Sequence, residues 1–244
     1  TRGRREDIYN TYPLDNFLNY TNPVTGKVKE YFDIMDAEVR EWWSGIGVQA
    51  ITQFNCDGLI IDGVLSASKE DEERMIAHRQ VYPELTVEQL EQAMKEMLQL
   101  TRVKMGQYNS VLSYIGIQGA RSEIVGPSGL QYLPVADSAW MADYNRSEQD
   151  AYYLASSLEL MSDTAKSGKM VTFKTWPGFT WNEPEALTNT EEELKVILRD
   201  RFPFLLASFL VAAEPNCFFS YTYGWNAVHG GFWDYPEYDK PLGQ

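Results

Sequence analysis

The sequence predicts an α/β fold built on parallel strands, and two observations carry that prediction. Short apolar runs, Leu59-Ile60-Ile61 the clearest, alternate with stretches of helical period, which is the pattern of right-handed strand–helix–strand units. Those runs are also too uniformly apolar for strands with one wet face, so each is expected to be covered on both sides. The carboxyl ends of such strands are where loops converge and ligands bind. Cys56 to Val64, reading CDGLIIDGV, delivers Asp62 to that edge.

Totals narrow the field. The 244 residues are 44% hydrophobic, enough to bury one large core, and a single domain over 1–244 is expected. Thirty-five acidic against 21 basic residues give a net charge of -14, which repels a nucleic-acid backbone and an anionic membrane surface. No apolar run approaches the roughly 20 residues needed to span a bilayer, so membrane insertion is not expected. Cys56 and Cys217 open strand candidates, where cysteine behaves as a small hydrophobe, although a disulfide between them stays open. Asn19-Tyr20-Thr21 and Asn145-Arg146-Ser147 are glycosylation sequons that would count in a secreted protein.

In chain order, 1–30 shows no sustained period and reads as an irregular segment. A brief strand at 31–34 leads to Asp36, a good N-cap, and a helix over 37–54 with Val39, Trp42, Trp43, Ile46, Ala50 and Phe54 on one stripe. Gly45 and Gly47 weaken it. After the strand ending at Asp62, 66–79 is charged and reads as a solvated loop or surface helix. Thr86 with Gln89 makes a capping box before a helix lined by Leu90, Met94, Met97 and Leu98. Strands follow at 110–118 and 137–144, separated by a loop through Gly126, Pro127 and Gly129. A helix over 147–167, capped by Ser147 and stopped at Gly168, precedes a strand over 169–176. Thr190 with Glu193 opens a helix that Pro203 is expected to break in two, and 217–225 is the last strand before an aromatic tail.

Six strand candidates result. A closed eight-stranded barrel needs two more units, which 1–30 is too short to supply. Either the barrel is incomplete or the first units lie upstream in a longer protein, and the second is the expectation.

Strand-end motifs sharpen this. Asp33 in YFDIMDAEVREWW, then CDGLIIDGV, ADSAWMADYN, FKTWPG, FFSYTYGW and PEYDKPLG together resemble glycosyl hydrolase families of the TIM-barrel clan, distantly like the endo-polygalactosaminidase and alpha-galactosidase group. The resemblance runs over about 31–243 and rests on motif order, since each motif alone is weak. It implies a (β/α)8-type barrel, here short of its N-terminal units, acting on a polysaccharide or oligosaccharide. It also implies that Asp62 is nucleophile or charge stabiliser, and that a second carboxylate stands near the end of the 137–144 strand. The glutamate position of that pattern holds Ala142. Asp143, one place on, points to the opposite face of a regular pleat and can substitute only if the strand is bulged.

The residues themselves fit two-carboxylate hydrolysis, in which one group protonates the leaving oxygen and the other attacks or activates water. Asp62 is read as catalytic ahead of the alternative, capping the following helix or bonding a loop amide, whereas for Asp143 a plain surface-loop acid is the default. Asp33 is a candidate substrate-binding carboxylate. Trp176, Tyr221, Tyr223 and Trp225 offer ring faces to a sugar, or else pack the core. Gln118 ends its strand as a candidate hydroxyl partner, and Lys174, in an otherwise buried strand, must reach a carboxylate or the pocket mouth. His78 and His229 are too few and too scattered for a metal site or triad, so no metal or organic cofactor is expected. The second reading is a non-catalytic glycan-binding or extracellular structural glycoprotein derived from such a barrel, supported by Ala142. Either reading sits best in the secretory pathway or outside the cell. The oligomeric state is left open.

Overall fold

A computed structural model describes residues 17–64, 72–122, 126–146, 150–225 and 233–240. Ser147, His229, residues 1–16 of the irregular segment, 66–71 of the charged segment and the tail beyond 240 lie outside them. The chain divides into two compact units, Thr1–Tyr114 with Tyr132–Asp137, and Ile115–Gln131 with Ser138–Gln244. Each unit holds parallel strands.

The first unit opens with a hairpin. Strands β1 (Phe17–Thr21) and β2 (Val28–Phe32) pair antiparallel, Phe17 opposite Phe32 and Thr21 opposite Val28. Asn22 makes the turn, its Oδ1 accepting from the amides of Val24 and Thr25 at 2.9 Å each, with Gly26 at φ +66°. This corrects the irregular reading of 17–30 and the strand at 31–34. The hairpin carries Lys29 and Glu30 among few apolar residues, so no period showed. Helix α1 (Ala37–Phe54) starts on Asp36, whose Oδ1 accepts from the Glu38 amide at 2.8 Å, and ends with Asn55 left-handed at φ 52°. Its expected stripe fails at the far end, where Phe54 is 69% exposed.

Strand β3 (Gly58–Ile61) pairs parallel with β4 (Val111–Ile115), Gly58 opposite Val111 and Ile61 opposite Tyr114. Here the expected two-sided cover is absent: Ile61 is buried but Ile60 is 50% exposed, because successive side chains take opposite faces. Of the loop and the surface helix expected for the charged segment, the helix forms, as α2 (Glu73–Arg79), but it is not simply solvated: it buries Met75, Ala77 and His78 and holds Arg74 Nε out of water. Helix α3 (Val87–Gly106) has both capping-box bonds between Thr86 and Gln89 and buries Leu90, Met94, Met97 and Leu98, as its period predicts. Asp137 then ties this unit together. One of its carboxylate oxygens accepts from Arg102 Nε at 3.0 Å and Nη2 at 2.9 Å, and the other from the Leu112 amide at 3.1 Å.

The second unit is a three-stranded parallel array, β5 (Ser138–Tyr144), β6 (Met170–Thr175) and β7 (Cys217–Tyr221) in that order. Helix α4 (Ala151–Lys166) is capped by Asp150, whose Oδ1 accepts from the Tyr153 amide at 2.7 Å, in place of the expected Ser147. Gly168 follows it at φ +87°. A short helix α5 (Pro184–Thr188) precedes α6 (Glu191–Ala212), which carries the expected Thr190–Glu193 capping box. Pro203 lies inside α6 without dividing it. One lost amide bond is outweighed by the buried series Leu194, Leu198, Phe202, Leu205 and Phe209, which fixes both halves. Phe202 stacks on Tyr235 with centroids 4.1 Å apart. Both cysteines are free thiols. No helix among the described residues is long and apolar enough to cross a membrane.

Candidate functional site

The end of β5 is irregular. Met141 pairs with Phe173 and Tyr144 with Thr175, so two residues, Ala142 and Asp143, answer to the single Lys174 of β6. That is a β-bulge, and burial follows it: Trp140 and Asp143, three apart, are the half-exposed positions of the strand, whereas a regular pleat would alternate by two. The condition under which Asp143 could serve in place of the residue before it is therefore met. Trp176 Nε1 donates to the Ala142 carbonyl at 2.5 Å and the Trp176 amide to the Tyr144 carbonyl at 3.1 Å, so β6 grips the bulge from its own carboxyl end. Asn145, left-handed at φ 55°, adds a bond from Nδ2 to the Trp176 carbonyl at 2.9 Å.

Asp143 is held by two donors. Gln118 Nε2 reaches Oδ2 at 2.8 Å, and Arg146 Nη1 reaches Oδ1 at 3.1 Å. Gln118 is itself fixed by a two-way backbone bridge to Ser128, next to Gly129, whose φ of +87° brings it so close to the Gly116 carbonyl that no side chain would fit. Arg146 lies over the Trp176 ring, 5.4 Å from its centroid. Burial raises the Tyr153 phenol, and the Asp143 charge adds to that shift.

Lys174 is 1% exposed, and its Nζ donates to the Thr175 carbonyl at 3.2 Å and to the Thr222 carbonyl. It also sits 3.6 Å from the Trp176 ring centroid and 5.7 Å from that of Trp225. Burial first, and the Arg146 charge second, pull its pKa down to about 6. The expected carboxylate partner is replaced by two backbone carbonyls and two indoles, an environment that accepts a neutral amine. The other aromatic candidates divide. Trp176 is fully buried, and Tyr221 is nearly so with its hydroxyl donating to the Leu198 carbonyl at 2.8 Å, so both serve packing and neither offers an open face. Trp225 and Tyr223 are half-buried, Tyr223 lying 6.0 Å from Phe179 and 6.1 Å from Trp233.

In the first unit, Asp62 directly follows β3 and is exposed, its Oδ1 accepting from the Gly63 amide at 2.7 Å. It lines a cavity of about 250 Å³ with Tyr31, Trp43, Ile61 and Arg74 among its neighbours. Asp33 is elsewhere engaged. It is 6% exposed, accepts from the Tyr82 hydroxyl at 2.7 Å and the Met35 amide at 3.1 Å, and lies 3.8 Å from Nε2 of the fully buried His78. His78 Nδ1 pairs with the Arg74 carbonyl at 2.8 Å, and burial lowers the imidazole pKa. These contacts tie the segment after β2 to Tyr82 and bring it beside α2, and they hold Asp33 buried. Arg74, Tyr82 and Arg146 carry no sequence signal of their own. Only Asp143 to Arg146, three apart, hinted at a local pair.

A family described as hypothetical glycosyl hydrolase family 15 matches residues 17–244. Among solved structures, the crystal structure of catalytic domain 2 of the Ostrinia furnacalis Group II chitinase is similar at 11% identity and a TM-score of 0.38. The match covers 59% of this chain and 40% of that one. A search of curated proteins gave no match.

Proposed function

The chain belongs to hypothetical glycosyl hydrolase family 15, and from that membership we propose that it hydrolyses O-glycosidic bonds in an oligosaccharide or polysaccharide through Asp62 and Asp143. The observation that carries the proposal is the β5 bulge, which sets Asp143 between Gln118 and Arg146 at the carboxyl end of a parallel strand. Asp62, exposed and accepting from its neighbour's amide, keeps the role of nucleophile or charge stabiliser that the family resemblance implies, and Asp143, which accepts from two donors, is the second carboxylate. Trp225 and Tyr223 supply half-exposed ring faces for sugar, and the strand–helix units fit a (β/α)8-type barrel. An extracellular or secretory location goes with such a substrate.

A second reading, a glycan-binding protein without catalysis, is favoured by Ala142. It is 5% exposed, and its carbonyl is taken by Trp176, so a glutamate there would enter a packed neighbourhood. Reducing-end release on a panel of polysaccharides, by the native chain and by Asp62→Asn, separates the two. Release by the native chain and its loss in the variant supports hydrolysis. Glycan binding with no release from any polymer supports the second reading and removes the first.

A further inference from the structure

Asp62 does not stand alone at its cavity. Arg74, from α2, lines the same space of about 250 Å³, and its Nε is fully buried without a hydrogen-bond partner among the described residues. A guanidinium nitrogen out of water and unpaired costs free energy, so the rest of the group is under pressure to find partners. The group is held in place from one side by Tyr31, whose ring centroid is 5.6 Å away and whose hydroxyl is pinned to Glu73 Oε2 at 2.9 Å. On the other side Gly63, at φ +79°, lacks the side chain whose Cβ would stand 3.9 Å from Arg74 Nη2, so the guanidinium lies against the backbone that carries Asp62. Burial lowers the Arg74 pKa, with Tyr31, Tyr132 and Glu72 opposing the shift.

We infer that this cavity is a subsite for a single neutral sugar residue, with Arg74 donating to a ring hydroxyl, Trp43 supplying an apolar wall and Asp62 at its edge. The inference rests on the hydrolase reading for what the bound sugar then undergoes, but the binding itself is independent of it. Size sets the first limit, since about 250 Å³ is small for a drug-sized ligand and of the order of one sugar ring. Charge sets the second. Glu30 and Asp62 give the wall two carboxylates against one guanidinium, in a chain of net charge -14, so a uronate is repelled where a neutral hydroxyl is not. The guanidinium can only donate and the two carboxylates accept, which matches a hydroxyl's ability to do both.

Titration with the methyl glycosides of glucose, galactose, N-acetylglucosamine and glucuronic acid, read by saturation-transfer NMR and calorimetry, tests this on the native chain, Arg74→Gln and Arg74→Lys. At least one neutral glycoside is expected to bind, with affinity reduced about 10- to 100-fold in Arg74→Gln. Arg74→Lys should lose less, and it keeps the test open if the glutamine variant does not fold. No binding by any glycoside, binding by the glucuronide alone, or equal affinity in a folded Arg74 variant overturns the inference. Hydrolysis measured in parallel distinguishes the two failures. Binding without hydrolysis leaves the subsite and removes the enzyme, whereas hydrolysis with KM unchanged in both Arg74 variants removes the subsite alone.

Discussion

Lys174 shows how one residue writes its surroundings into the behaviour of the chain. Its amine is out of water, and its pKa falls from the usual 10.5 to about 6. In the unfolded chain it stays protonated up to about pH 10.5, so between those values unfolding takes up a proton and stability rises with pH, by at most about 1.4 kcal/mol per pH unit for one group. The contribution is complete above the unfolded pKa and is lost as pH falls toward 6. His78, also lowered by burial, adds a loss below about pH 6.5. Urea midpoints between pH 6.5 and 9 should therefore climb in the native chain and climb less in Lys174→Met; parallel lines would show that the amine is not held neutral. Trp176→Phe gives a second check. It strips the Ala142 carbonyl of its indole donor and should cost about 1–3 kcal/mol in the same unfolding measurement.

Elements succeeded or failed in the sequence according to how local their determinants are. Helices α3 and α6 were legible because Thr86–Gln89 and Thr190–Glu193 satisfy each other across three residues, and such bonds need no tertiary partner. The hairpin was not, because Phe32 finds its apolar contact in Phe17 and Trp42, 5.3 and 5.2 Å away, and no period in 17–32 announces either. The continuity of α6 through Pro203 likewise depends on Phe202 and Leu205 finding a core. At the candidate site, Asp62 and Asp143 could be picked out as strand-end acids, whereas Arg74 and the Gln118 bond come from chain folding back over 12 and 25 residues. Within α1 the two glycines separate propensity from packing. A Cβ at Gly45 meets nothing within 4 Å, so Gly45→Ala should stabilise by up to about 1 kcal/mol. A Cβ at Gly47 would stand 2.8 Å from Met105 Sδ and 3.3 Å from Thr101 Cγ2, both on α3, so Gly47→Ala should destabilise by about 1–3 kcal/mol. Thermal unfolding of the pair should move in opposite directions; a gain for both would mean that α1 and α3 are not packed at this distance.

At the scale of the whole molecule, the hydrolysis proposed above would take place at the carboxyl ends of the parallel strands. Asp62 in the first unit and Asp143 in the second each stand at such an end. The net charge of -14 would repel an anionic ligand, as would the two carboxylates in the wall of the Asp62 cavity, which agrees with the neutral sugar proposed for it. Binding alone would need an acceptor at position 143 but not its acid–base or nucleophilic capacity, so the isosteric amide discriminates catalysis from recognition. The most direct test is kcat for reducing-end release from a neutral polysaccharide by the native chain and by Asp143→Asn, with the fold of both verified by thermal unfolding. The account predicts measurable turnover by the native chain and a fall of at least about 100-fold in the variant. Equal turnover in the two, or none in the native chain, would contradict it.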